Sequence, residues 1–221
     1  MMLCLRRASI ILLFAFAACK PTYQKFRKLP EPAAQAQSST LMGYRPGKER
    51  AEKVVYRCLI NGKLLFKSFH LSGILLFRQM DDGSARVLFT NELGMTFFDF
   101  GWDRVDSFQV YRILPQLDKP ALIQMLREDL SVVLMREIKP VATYRKENET
   151  IYQAALEKTQ AYYSIKDGRI SSIELADKKL SRTVTYVPGV LPQNLPDSFS
   201  IEQHGPKFSI QSKRIPNASF K

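Results

Sequence analysis

The chain has little of what catalysis and metal binding usually draw on. It holds two histidines, one tryptophan and three cysteines in 221 residues. Neither His70 nor His204 has a cysteine or carboxylate beside it at metal-ligand spacing, so no metal site is expected. There is no glycine-rich phosphate loop and no Gly-x-Ser-x-Gly elbow, which sets aside the commonest nucleotide-binding and hydrolase signatures. The acidic pairs Asp81-Asp82 and Glu128-Asp129 fall in a turn and on what reads as the polar side of a helix, where carboxylates are ordinarily just solvated. Neither an enzyme nor a cofactor is expected on these grounds; a hydrolase would need a site assembled from residues distant in sequence.

Negative charge is scarce as well, with 21 acidic residues against 33 basic ones and a net charge of +12. Such an excess suits nucleic acid or an anionic membrane surface, and the N-terminus chooses between them. Long apolar runs are missing. Ala8–Ala18 is an apolar stretch of about eleven residues, where a membrane-crossing helix needs about 20. Preceded by Arg6-Arg7 and closed by Phe16-Ala17-Ala18-Cys19, it reads as a targeting segment over residues 1–18. It resembles a bacterial lipoprotein signal, which implies that Cys19 is acylated and becomes the mature N-terminus. An ordinary secretory signal, or a cytoplasmic chain with an apolar end, is the plainer alternative. Export takes nucleic acid off the list of partners. Cys4 then leaves with the signal, and Cys58, in the strand-like Val54–Ile60, is expected to be a small buried residue rather than a reactive thiol.

Residues 19–48 lack periodicity and are rich in Pro, Ala, Gln and Ser, the composition of a tether. Lys20, Lys25, Arg27 and Lys28 are interleaved with Tyr23 and Phe26, which suits either a leash lying on anionic lipid or plain solvated linker charge. No acidic residue follows Cys19 directly, which fits the periplasmic side of an outer membrane.

The folded domain is expected over 49–221. Its clearest stretch is Ser72–Trp102, read as strands Gly73–Gln79, Ala85–Thr90 and Met95–Phe100, joined by turns at Asp81-Asp82-Gly83 and Asn91–Gly94. Before it, Val54–Ile60 and Lys63–Phe69 read as a hairpin turning on Asn61-Gly62. After it come a strand Ser107–Leu114 and a helix opened by Asp118 and Pro120 and running to about Arg136, with Leu122, Met125, Leu126, Leu130, Val133 and Leu134 on one stripe. A polar connection at Arg145–Glu149 precedes further strands at Ile151–Ala155, Gln160–Lys166, Ile170–Leu175, Arg182–Val187, Ser198–Gln203 and Lys207–Ile215. The pattern predicts a mainly β, α+β fold: a strongly curved antiparallel sheet forming an open half-barrel, covered by one or two helices.

Leu93 sits at the tip of a turn, where polar residues are usual. By composition it is either a staple folded back onto the sheet or an apolar side chain left out for a membrane or partner. The run LLFRQ, a short Asp/Gly-rich turn, ARVLFTNELG and a further strand resembles the LolB family of outer-membrane lipoprotein receptors within the LolA/LolB superfamily. Leu195-Pro196 followed by two alternating strands resembles the end of those chains. The resemblance implies that Asn91, Glu92, Leu93 and Gly94 form a loop whose leucine assists insertion of lipoprotein into the membrane; Glu92 stands where the family has Pro, which suggests a less rigid loop.

It also implies an apolar cavity between sheet and helix for lipoprotein acyl chains, received from a soluble periplasmic carrier of the LolA type. Candidate lining residues are Leu75, Phe77, Val87, Phe89, Phe98, Phe100, Leu122, Met125 and Leu126. Ordinary core needs the same residue types, and spacing alone does not separate the two. Each buried methylene contributes about 0.8 kcal/mol, so acyl chains need no polar readout to be held. The implied function is an outer-membrane lipoprotein receptor. The alternative is a periplasmic lipid- or partner-binding scaffold of the same fold without transport activity.

Overall fold

A computed structural model of the chain describes residues 27–29, 53–64, 67–157, 159–167, 169–177, 180–187, 196–205 and 207–215. The expected targeting segment, the acylated Cys19 and most of the 19–48 tether lie outside the described residues. Among the described residues thirteen strands form one antiparallel sheet: β1 (Arg27–Lys28), β2 (Lys53–Leu64), β3 (Lys67–Gln79), β4 (Ala85–Thr90), β5 (Thr96–Trp102), β6 (Phe108–Ile113), β7 (Lys139–Lys146), β8 (Glu149–Leu156), β9 (Thr159–Lys166), β10 (Arg169–Ala176), β11 (Leu180–Val187), β12 (Ser198–Gln203) and β13 (Phe208–Arg214). A single described helix, α1 (Pro120–Leu134), joins β6 to β7.

The spatial order is β1-β7-β8-β9-β10-β11-β12-β13-β2-β3-β4-β5-β6. Two meanders are therefore joined where β13 pairs with β2, and the sheet stays open with β1 and β6 as its edges. Helix α1 crosses from one meander to the other over the concave face. This is the curved half-barrel that the strand pattern predicts. One face of most strands feeds a common core: Val54, Tyr56, Cys58 and Ile60 from β2, Leu75 and Phe77 from β3, Tyr152 and Ala154 from β8, Tyr163 from β9, and Phe199 and Ile201 from β12. Leu122, Leu126, Leu130 and Val133 of α1 pack into it. Cys58 is buried and free, and burial alone pushes its thiol up to about 12.

Four local readings are corrected. Asn61-Gly62 is not a turn but the interior of β2, paired with His70 and Phe69 of β3. The glycine makes room for a ring rather than a reversal: a Cβ at Gly62 would meet Cζ of Phe69 at 2.2 Å. The hairpin instead runs on to the Leu64–Lys67 pair. Second, Lys139–Lys146 is a strand where no strand was expected, and only Ala142 and Thr143 of it are buried. Its pattern is therefore nearly silent, and Pro140 is tolerated because it falls at a register irregularity near the sheet edge. Third, Asp118 caps nothing. Lys119 occupies the N-cap without a side-chain bond, Pro120 opens the helix, and the helix stops at Leu134, where Met135 takes a left-handed conformation at φ 54°. Fourth, Asp129 is not on a solvated side of α1 but fully buried.

Arg27–Lys28, inside the stretch read as tether, pairs with Arg145 and Tyr144 of β7, and the Leu29 N–H donates to the Thr143 carbonyl at 2.8 Å.

Candidate functional site: the Leu93 loop and the concave face

The loop between β4 and β5 is built by one side chain. Asn91 accepts through Oδ1 from the Leu93 N–H at 3.0 Å and the Met95 N–H at 2.8 Å, while its own N–H donates to the Met95 carbonyl at 2.9 Å. Gly94 closes the frame at φ 83°, a conformation glycine adopts without strain, and donates to the Asn91 carbonyl at 3.1 Å. The result is a closed five-residue turn without proline, whose shape the Asn91 side chain sets. At its tip Leu93 is 93% exposed, which excludes the staple reading, and Met95 beside it is also exposed.

The loop is seated against β3 at Gly73. A Cβ at Gly73 would stand 1.9 Å from the Thr90 carbonyl oxygen, so only glycine allows β4 to end this close to β3. Beyond that point β3 continues without β4 toward Lys67, and the β2–β3 hairpin extends past the loop.

The turn between β5 and β6 repeats the same frame. Asp103 accepts through Oδ1 from the Val105 and Ser107 N–H groups at 2.9 and 2.8 Å, Asp106 takes φ 64°, and Val105 is 76% exposed. It differs in what holds it. Arg136, buried, donates to Asp106 Oδ1 at 2.8 Å and to the Gly83 carbonyl at 2.6 Å, bracing two turns at once.

The nine candidate lining residues all come together between sheet and helix. Leu75, Phe77, Val87, Phe89, Phe98, Phe100, Leu122 and Leu126 are buried in one cluster, and Met125 packs against it half-buried. Phe98 and Phe100 stack at 4.7 Å, and Phe77 meets Tyr56 edge-on at 5.8 Å. The opposite face of β4 and β5 is polar: Arg86 donates bidentately to Asp99 at 2.7 and 2.6 Å and lies 4.3 Å from the Tyr111 ring centre.

Two polar clasps hold α1 over the cluster, and sequence reading missed both. In the first, Glu137 just past the helix accepts from Trp102 Nε1 at 2.9 Å, from Ser131 Oγ at 2.7 Å and from Arg127, whose Nε lies 3.0 and 3.1 Å from its two oxygens. Burial pushes the Glu137 carboxyl up, but these hydrogen bonds outweigh it and hold it below the usual range. In the second, Arg182 of β11 pairs with Glu128 at 2.5 Å and approaches Asp129 at 3.4 Å, while Gln203 donates to Asp129 at 3.4 Å. Burial pushes the Asp129 carboxyl up to about 7. One oxygen of Asp129 and two nitrogens of Arg182 have no hydrogen-bond partner.

No family model matches the chain, and no curated protein matches it in sequence. Solved structures do. A LolA superfamily protein from Nitrosomonas europaea is 12% identical, with a TM-score of 0.51 over 82% of this chain and 91% of that one. The fold of this chain is similar to the fold of that protein. At this identity the likeness speaks for the fold alone. A putative outer-membrane lipoprotein-sorting protein domain from Vibrio parahaemolyticus is 10% identical, with a TM-score of 0.47 over 90% of this chain and 95% of that one. The resemblance of the central strands to LolB rests on sequence pattern.

Proposed function

We propose that this protein is an outer-membrane lipoprotein, held on the periplasmic side through Cys19, that binds lipoprotein acyl chains and helps insert them into that membrane. The observation that supports this most directly is the Leu93 loop: an aliphatic side chain almost wholly in water, at the tip of a turn that Asn91 holds in shape. Exposing a leucine loses the 1.5–3 kcal/mol, roughly, that burial would give, and entry into a bilayer recovers it. Acyl chains would lie between the aromatic face of β3–β5 and the aliphatic stripe of α1, so loading requires the helix to yield part of its contact with the sheet. A LolA-type soluble carrier would be the donor, and transfer would follow increasing affinity from carrier to receptor to membrane. The role is binding and delivery rather than catalysis.

Replacing Leu93 by Glu tests the loop. Delivery of a labelled lipoprotein from carrier to vesicles should fall at least tenfold, with cargo accumulating on the protein; unchanged delivery removes the loop from the mechanism. The close mutual packing of the candidate lining residues favours a second reading, a lipid- or partner-binding scaffold that does not transport. Mass analysis of an organic extract of the purified protein, read together with the delivery assay, separates the two: copurifying acyl chains with delivery support the receptor, and either bound lipid without delivery or no bound lipid supports the scaffold.

A further inference from the structure

At the end of the sheet that also carries the Leu93 loop, the overhanging part of the β2–β3 hairpin and the facing end of β12–β13 frame an open concavity of about 580 Å³. Its volume lies in the range of small-molecule sites, roughly 300–1,000 Å³. Lys63, His70 and Lys207 bring basic groups to it and Glu202 a single carboxylate, while Phe69 and Phe208 at its margin turn their rings to the core face. The two rings are 6.4 Å apart, and the Lys63 N–H donates to the Lys207 carbonyl at 2.9 Å, so the two lysine-bearing segments are fixed to each other. His70 Nδ1 lies 2.6 Å from Asn61 Oδ1, which orients the ring. Among the described residues neither Lys63 nor Lys207 makes an ion pair.

We infer that this concavity binds the phosphate-bearing headgroup of an anionic phospholipid. Lys63 and Lys207 stand beside the Gly62–Phe208 pair of neighbouring strands, and His70 lies on the same face of the sheet, so a phosphodiester oxygen there would find charge-assisted donors. Position supports the same occupant. The β3–β4 pairing ends at Ile74–Thr90, so the hairpin arm carrying Lys63 and His70 projects from the end of the sheet that also presents Leu93. A headgroup held there would set the domain against an anionic leaflet with Leu93 directed at it. The inference rests on the proposed entry of Leu93 into a membrane, which it supplies with an orienting contact.

The full chain titrated with dihexanoyl-phosphatidylglycerol, kept below its micelle concentration, should show saturable binding. Affinity should be at least tenfold weaker for dihexanoyl-phosphatidylcholine. The double variant Lys63→Glu, Lys207→Glu should lose at least tenfold for the anionic lipid, with an unchanged thermal melt showing that both exposed substitutions leave the fold intact. Lys63→Arg with Lys207→Arg should retain binding. Equal affinity for the two lipids, or full binding by the Glu variant, overturns the site. Inorganic phosphate binding as tightly as the lipid overturns it too, because the site would then be a simple anion site. Leu93→Glu should bind the short-chain lipid normally. Loss of headgroup binding alongside a preserved Leu93 delivery defect therefore removes this inference alone, and the converse removes only the delivery role.

Discussion

Helix α1 is held at two places by the same chemistry, an arginine and buried carboxylates, with opposite outcomes. Around Glu137 every group is answered: the carboxylate takes Trp102, Ser131 and Arg127, and Arg127 also lies 5.2 Å from the Phe108 ring centre. Around Asp129 the distances are long and three polar atoms are left over. The difference teaches that burial next to an opposite charge does not by itself stabilise. Hydrogen bonds of good length offset desolvation at Glu137, whereas at Asp129 desolvation wins and the carboxyl holds its proton toward neutrality. The firm clasp sits where α1 meets the β4–β6 meander, and the weak one where it meets β11 and β12. The helix movement that the proposed loading of acyl chains requires should therefore begin on the β11–β12 side.

Substitutions can break or sharpen that contrast. The largest effect is expected for Glu137→Ala, which strands the Arg127 guanidinium, the Trp102 N–H and the Ser131 hydroxyl. Urea denaturation should show a loss of about 3–5 kcal/mol, and a loss below 1 would mean the first clasp is no firmer than the second. Asp129→Asn comes next and should act in the other direction. The folded carboxyl titrates near 7 and the unfolded one near the ordinary value of about 4. The folded state therefore binds the extra proton between those values. Stability contributed by this group is full below about pH 4 and is lost as pH rises through about 7. The Asn variant should flatten that slope and raise the melting temperature at pH 8 by a few degrees, with little change at pH 4; an unaltered pH profile would contradict the buried-acid account. The smallest effect belongs to Gln203→Ala, which removes only a 3.4 Å contact and should change stability by roughly 0.5 kcal/mol or less.

How far the fold was legible follows from the same physics. The strands from Leu75 to Ile113 announce themselves because apolar residues are dense and each turn carries its own signal, Gly83 in one and Asn91 with Gly94 in the next. Helix α1 is legible from Pro120 and its stripe. Asp129 was also there to be read: it follows Leu126 by three residues and precedes Val133 by four, and so lies on the buried stripe. β7 was not legible, since a near-edge strand with two buried residues has no periodicity to show. Nor was β1, whose two residues are a strand only because β7 lies beside them. Asn61-Gly62 misled because a glycine fitted to a neighbouring ring has the same letter as one fitted to a turn.

At the candidate site, the oddness of Leu93 was readable but its exposure was not, since that depends on Asn91 closing the loop away from the sheet. The clasps join residues as far apart as Trp102 and Glu137, or Asp129 and Gln203, and no local pattern encodes such meetings.

The short pairing of Arg27–Lys28 with β7 sets a geometric leash. Eight peptide units separate Cys19 from Arg27, and at full stretch they reach roughly 27 Å. A fatty anchor on that cysteine would therefore keep the β7 margin of the domain within about one small-protein diameter of the bilayer, however long the remaining linker to β2. A domain so anchored would swivel about that margin rather than move freely, and lengthening the chain between residues 19 and 27 would widen its sweep.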